Sequence, residues 1–163
     1  MAWRYLVALG SNRRVNRFGA PPRVLRAAAV AMADAGLDVL ALSPVIASAP
    51  LGPSRRRYAN AVAEIETALD PPALLRVLNR IEDDFGRLRR GRPWSERSLD
   101  CDIVAWSGGS WGASDLVIPH PEFRKREFVL APAATIAPRW RDPHTGLSMT
   151  HLASRLTRPR PRP

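Results

Sequence analysis

Cysteine is nearly absent. Cys101 is the only one in 163 residues, so no internal disulfide can form, and a reducing, cytoplasmic setting suits the chain. Lysine is equally scarce: of the 25 Lys and Arg residues only Lys125 is lysine. No Gly-x-x-x-x-Gly-Lys-[Ser/Thr] sequence occurs, which excludes a Walker-type phosphate loop. No apolar run approaches the roughly 20 residues of a membrane span, and the N-terminus has no signal-peptide pattern. With one Cys and three scattered His, a zinc site has too few ligands. No Ser-His-Asp or Cys-His arrangement for nucleophilic catalysis stands out.

What is present is ordinary in composition and unusual in charge. Hydrophobic content of 45% and charged content of 25% suit one globular domain, expected over residues 1–157. Arg158 to Pro163, an Arg-Pro repeat, cannot pack and reads as a disordered tail. The formal charge is +10. Arginine richness alone can reflect genome composition, so position matters more. The positives gather at Arg13/Arg14/Arg17, Arg55-Arg56-Arg57, Arg87 to Arg97 and Arg124-Lys125-Arg126. Such a field draws a polyanion, either a nucleotide or a nucleic acid.

Along the chain, Tyr5 to Leu9 reads as a strand stopping at the turn sequence Gly10-Ser11-Asn12. Pro21-Pro22 opens a helix with Val24, Leu25, Ala28, Met32 and Ala35 on one face and Gly36 as its stop. A strand from Leu37 to Leu42 resumes through Val45-Ile46, and a third runs from Tyr58 to Thr67. Asp70-Pro71-Pro72 starts a second helix, carried by Leu74, Leu78, Ile81 and Phe85 and closed by Gly86. Leu99 to Trp106 is the fourth strand and Leu116 to Ile118 another. Helical regions follow near Phe128 to Ala134 and Ser148 to Leu156. The order β-α-β-β-α-β predicts an α+β fold of the ferredoxin-like, split βαβ kind, with a C-terminal strand and helix extension.

Asp100 and Asp102 lie inside the apolar run of the fourth strand, where unpaired carboxylates are costly. Strand geometry points both to one face, with Cys101 opposite as core filling. A divalent cation relieves their repulsion, and oxygen-only ligation suits Mg²⁺. The arginines just upstream suit phosphate, so the pair and its neighbours suggest phosphoryl-group chemistry. The bland alternative is an acidic strand end salt-bridged to those arginines. His120, between Pro119 and Pro121, reads as a capping histidine or a phosphate contact; Trp94 as a structural anchor or a cover for a flat ring. Tyr58 and Phe128 start as core or rim residues.

Several segments together resemble hydroxymethyldihydropterin pyrophosphokinases. They are Leu9-Gly10-Ser11-Asn12, Ser48-Ala49-Pro50-Leu51-Gly52, Tyr58-Ala59-Asn60-Ala61-Val62, Arg97-Ser98-Leu99-Asp100-Cys101-Asp102-Ile103-Val104, Ile118-Pro119-His120-Pro121 and Arg126-Glu127-Phe128. The resemblance implies transfer of pyrophosphate from ATP to 6-hydroxymethyl-7,8-dihydropterin, releasing AMP, in folate biosynthesis. It implies two Mg²⁺ ions on Asp100 and Asp102, and catalytic roles for Arg89 and Arg97 beside them. It assigns the ATP side to Glu82, Arg87, Arg89, Trp94, Arg97, Ile103, His120 and Arg126. The pterin would meet Ser48, Leu51, Tyr58, Asn60 and Phe128. A monomer acting on ATP and a small pterin, with no nucleic acid and no membrane, follows.

The chain departs from the family pattern at Ser95-Glu96, which replaces a common Gly-Pro, at Cys101 for an aliphatic residue, and at Ser48 for a frequent threonine. None removes a metal ligand. The rival readings are a basic ferredoxin-like nucleic-acid-binding module and a diverged inactive paralogue. The first needs aromatics at fixed positions on a central strand, and Tyr58 to Thr67 carries acids instead.

Overall fold

The computed structural model describes residues 1–49, 57–86, 98–159 and 161. Strand β1 (Trp3–Ser11) is central, paired antiparallel to β4 (Tyr58–Thr67) on one side and β5 (Asp100–Trp106) on the other. The short β2 (Asp38–Leu42) and β3 (Ile46–Ser48) both pair with β4, so the sheet runs β2-β4-β1-β5 with β3 beside β4. The fold is mixed α+β on an antiparallel sheet.

Alternation along β1 separates two cores. Tyr5, Val7 and Leu9 face helices α1 (Pro21–Asp34) and α2 (Pro71–Asp84), while Leu6 joins Val62 and Val104 under α3 (Glu127–Ile136) and α4 (Met149–Thr157). Helices α1, α2 and α4 begin where the local sequence removes or satisfies early N–H groups. Prolines fill the first positions of α1 and α2, and the Asp70 carboxylate accepts the Ala73 N–H at 3.0 Å. The Ser148 hydroxyl accepts from the His151 N–H at the start of α4. Gly36 and Gly86, at φ of 89° and 85°, end the first two helices in a conformation that favours glycine.

The structure amends three expectations. β1 does not stop at Gly10-Ser11: Gly10 pairs with Asn60 and Asp100 and Ser11 with Ala59, because partners on both sides extend the strand through a turn-like sequence. Ala35 is exposed as the C-cap of α1, not part of its buried face. A further strand, β6 (Trp111–Ala113), pairs with β7 (Leu116–Ile118); its three residues are too few to show alternation. Helix α3 runs through Pro132 as the expected helical region near Phe128 to Ala134 did, held by the burial of Val129, Leu130 and Ala133. Cys101 is 4% exposed in the core under α1 and α2, as alternation predicts.

One ion pair ties the C-terminal elements together. Arg124 donates Nε and Nη2 to the two oxygens of buried Asp142 at 2.6 and 2.7 Å. Burial alone would raise the Asp142 carboxyl. Bonds from Arg124, Thr145 Oγ1 and the His144 N–H outweigh it and bring the group down to about 2. A folded value below the unfolded one stabilises at pH above the unfolded 3.8 and is lost as pH falls through about 2. In denaturation curves, the stability gap between wild type and Asp142→Asn is therefore expected to narrow by about 2 kcal/mol between neutral pH and pH 2. A pH-independent gap would show that the pair contributes nothing through charge.

Candidate active site

Register brings the site together. Asn60, Gly10 and Asp100 form one cross-strand row on the face turned towards α3; Val62, Ala8 and Asp102 form the next. Gly10 and Ala8 thus make a low floor between Asn60 on one strand and two carboxylates on the other. Over it lies a cavity of about 250 Å³, lined also by Ser48, Tyr58, His120, Arg126, Phe128 and Val129. That is near the lower end of small-molecule sites, which run from roughly 300 Å³. Glycine keeps the floor low: a Cβ on Gly10 would sit in ordinary contact, 3.6 Å from Asn60 Oδ1 and 3.8 Å from the Tyr58 ring, and any larger side chain would rise into the cavity.

Asn60 is oriented by its neighbours. Its Nδ2 donates to Ser48 Oγ at 2.7 Å, which assigns the amide and turns Oδ1 towards Gly10 and the cavity. The Ser48 hydroxyl reaches it because β3 pairs Ser48 with Tyr58. Tyr58 and Phe128, both half-buried, come from β4 and the first turn of α3. They give the cavity two aromatic surfaces.

The other end is polar and charged. Asp100 is half-buried and Asp102 exposed, with both lining the cavity. His120 Nδ1 accepts the Glu122 N–H at 3.1 Å, which leaves Nε2 as the ring's N–H donor. Burial pushes the His120 imidazolium down and Arg126 adds to it, against the opposing pull of Asp102 and Glu122. The net effect lowers the affinity of the ring for a second proton. The Arg126 guanidinium lies over the Phe128 ring, 5.7 Å from its centroid.

The structure collects Ser48, Tyr58, Asn60, Asp100, Asp102, His120, Arg126 and Phe128 around this one cavity. Two residues expected on the ATP side, Glu82 and Ile103, do not line this cavity. Glu82 is 2% exposed beneath β5, where its Oε2 accepts the Cys101 N–H at 3.1 Å. It does not line the cavity, because its position on α2 faces the sheet from the opposite side. Ile103 faces that same side of β5 and lines a second hollow, shared with Leu75, Val117, Asp102 and His120. Asp102 and His120 belong to both hollows and so join them. Leu51, Arg87, Arg89, Trp94 and Arg97 lie outside the described residues. Sequence reasoning missed Ala8, Gly10 and Val129; glycine inside a strand was the available signal for the second.

Among the described residues no three His, Cys, Asp or Glu side chains converge. Two carboxylates on one face, open to a cavity, are what Mg²⁺ accepts when phosphate and water complete its shell. The residues fit that ion and do not form a closed, all-protein cage.

Comparison with known proteins gives a consistent result. Residues 6–138 match the family model described as 7,8-dihydro-6-hydroxymethylpterin-pyrophosphokinase. A 2-amino-4-hydroxy-6-hydroxymethyldihydropteridine pyrophosphokinase of Synechocystis sp. is 37% identical over 122 residues, 75% of this chain and 62% of that protein. The Haemophilus influenzae protein of the same name is 41% identical over 133 residues, covering 80% of this chain and 79% of its own. The crystal structure of Plasmodium falciparum HPPK-DHPS with pteroate shares the fold at a TM-score of 0.73 and 11% identity, over 95% of this chain and 42% of that one.

Proposed function

Because the chain belongs to the 7,8-dihydro-6-hydroxymethylpterin-pyrophosphokinase family, we propose that it transfers the terminal pyrophosphoryl group of ATP to 6-hydroxymethyl-7,8-dihydropterin in folate biosynthesis. The observation that carries this reading is the pair of cross-strand rows. They set an oriented amide, a glycine floor and two carboxylates on one concave face.

In this reading the pterin lies over Gly10 between Tyr58 and Phe128. Asn60 Oδ1 accepts from its amide edge, and Ser48 holds that oxygen in place. The triphosphate crosses the carboxylate end towards the second hollow, whose apolar wall of Leu75, Ile103 and Val117 suits a nucleobase. Asp100 and Asp102 are the residues that would hold Mg²⁺, two ions in this reading. Bound there, the metal would neutralise phosphate charge and polarise the transferred group. The pterin hydroxymethyl oxygen attacks the β-phosphorus and gives up its proton to solvent, the bond from that phosphorus to the α-β bridging oxygen breaks, and AMP leaves with the oxygen. Arg126 and the His120 Nε2–H donate to phosphoryl oxygens. This fits a reaction that asks for alignment and charge neutralisation more than covalent chemistry. Arg87, Arg89, Trp94 and Arg97 supply further cationic and aromatic groups on the ATP side.

The strand order β2-β4-β1-β5 supports the ferredoxin-like class for residues 3–106, with β6, β7, α3 and α4 as the extension. Residues 1–157 act as one domain, a monomer whose partners are ATP and the pterin. Among the described residues no helix is long and apolar enough to cross a membrane.

The test is incubation of the purified protein with ATP, Mg²⁺ and the reduced pterin. AMP and a pyrophosphorylated pterin are expected in equal amounts; ADP, or no pterin-dependent AMP, overturns the reading. Asn60→Ala is expected to weaken pterin binding by about 1–3 kcal/mol, the cost of stranding buried polar groups. ATP binding without pterin should be unchanged, and calorimetry showing equal losses for both ligands would refute the assignment.

A further inference from the structure

The Arg126 backbone is held on both sides, by the 3-10 turn before it and by the first turn of α3 after it. It is the N-cap of α3 at φ −108° and ψ 101°, between that helix and the single 3-10 turn Phe123–Lys125. Its N–H donates to Phe123 O at 3.2 Å, and its carbonyl accepts from Val129 and Leu130. Helix α3 and the Phe128 ring fix one side of its position, and the seat of the 3-10 turn fixes the other.

That seat is built from a distant segment. Phe123 is buried, and the Arg124 guanidinium lies 4.7 Å from its ring centroid. Arg124 in turn is forked onto Asp142, 18 residues further along. Asp142 is 1% exposed and saturated: besides Arg124 it accepts from Thr145 Oγ1 at 2.8 Å and the His144 N–H at 3.1 Å. Its backbone closes the loop as well, with Asp142 N–H to Leu147 O and Gly146 N–H to Asp142 O. The Met149 N–H bonds to Trp140 O, which ties the loop to the start of α4 and so to the second core. The far side of Arg124 is also closed. An arginine only donates, so His144 Nδ1 accepts from Nη2 at 3.4 Å, and Nε2 then donates to Ser110 Oγ at 3.1 Å. A two-point fork fixes direction as well as distance, which a single bond would not.

We propose that Asp142 is a positioning residue for the transfer reaction, acting through Arg124 to aim Arg126 into the cavity. The inference rests on the pyrophosphokinase reading for the role of Arg126. Asp142 itself is absent from the cavity wall and touches no substrate.

A double-mutant cycle tests it. Asp142→Asn keeps the shape but turns a donor or a neutral oxygen towards Arg124. It is expected to lower kcat per folded protein about 10- to 100-fold, with a smaller change in KM for ATP, as misplaced groups do. In the Arg126→Ala background the same substitution should lower kcat by less than about twofold, since the two act as one unit. Arg124→Lys keeps the charge and loses the fork; it should show the same pattern at smaller amplitude and serves if Asp142→Asn folds poorly. A variant that melts earlier yet keeps kcat overturns the proposal, and so does an equal loss in both backgrounds. Transfer absent from the wild type would instead overturn the functional reading. The Arg126 Nε–Hε resonance in NMR, which needs no turnover, then decides the positioning: shifted or broadened by Asp142→Asn it stands, unmoved it falls.

Discussion

Asp102→Asn is expected to fold and to lose pyrophosphoryl transfer by about 10²- to 10³-fold or more, the scale of removing an electrostatic stabiliser from a reaction that runs on them. The substitution preserves shape and one acceptor oxygen while removing the charge that a divalent cation needs. Asp102 is the cleaner of the two carboxylates to test. It is exposed at the cavity mouth, two strand positions from half-buried Asp100, so losing its charge removes repulsion without burying an unpaired group. Its thermal midpoint should therefore stay at or above that of the wild type. Asp100→Asn should lose turnover to a similar degree. Near-normal turnover in either variant at saturating Mg²⁺ would place the metal elsewhere.

Gly10→Leu is expected to abolish measurable pterin binding, a loss of about 10²-fold or more if the ring loses its seat, while leaving ATP binding in place. The floor between Asn60 and Asp100 is open only because Gly10 has no side chain. A Cβ there meets Asn60 Oδ1 and the Tyr58 ring at ordinary contact distance, so Gly10→Ala should fold and bind pterin with a small penalty. Each further carbon must enter the cavity, since the sheet closes every other direction. The two variants together separate space from strain. Leu blocking and Ala tolerated is the outcome the geometry predicts; equal loss in both would point to backbone strain, and full pterin binding by Gly10→Leu would move the pterin off this floor. ATP binding is the control, because Ile103 and Val117 in the second hollow lie beyond the carboxylates from Gly10.

Neither effect could have been assigned from composition. The +10 charge and scattered arginines describe a field and not a site, and Arg124 shows why. In sequence it is one of three consecutive cations, Arg124-Lys125-Arg126, any of which could meet a phosphate. In the structure Arg124 is spent on Asp142, Lys125 reaches Glu122 at 3.7 Å on the surface, and Arg126 alone lines the cavity. Sign and number of charges were legible; their commitments were not.

Local rules sufficed where neighbours in sequence are neighbours in space. Asp70 with Pro71-Pro72, the spacing of Leu74, Leu78 and Ile81, and Gly86 determined α2 by themselves, since a helix satisfies its backbone within one segment. Alternation likewise determined that Asp100 and Asp102 share a face opposite Cys101, as every strand imposes that period. Tertiary structure decided what depends on partners: that β1 runs on through Gly10-Ser11, that Glu82 turns to the Cys101 N–H instead of the cavity, and that Asp142 anchors Arg124. Pairing across strands and loops far apart in the chain carries no local periodicity, so only the register of β1 with β4 and β5 could set Asn60, Gly10 and Asp100 in one row.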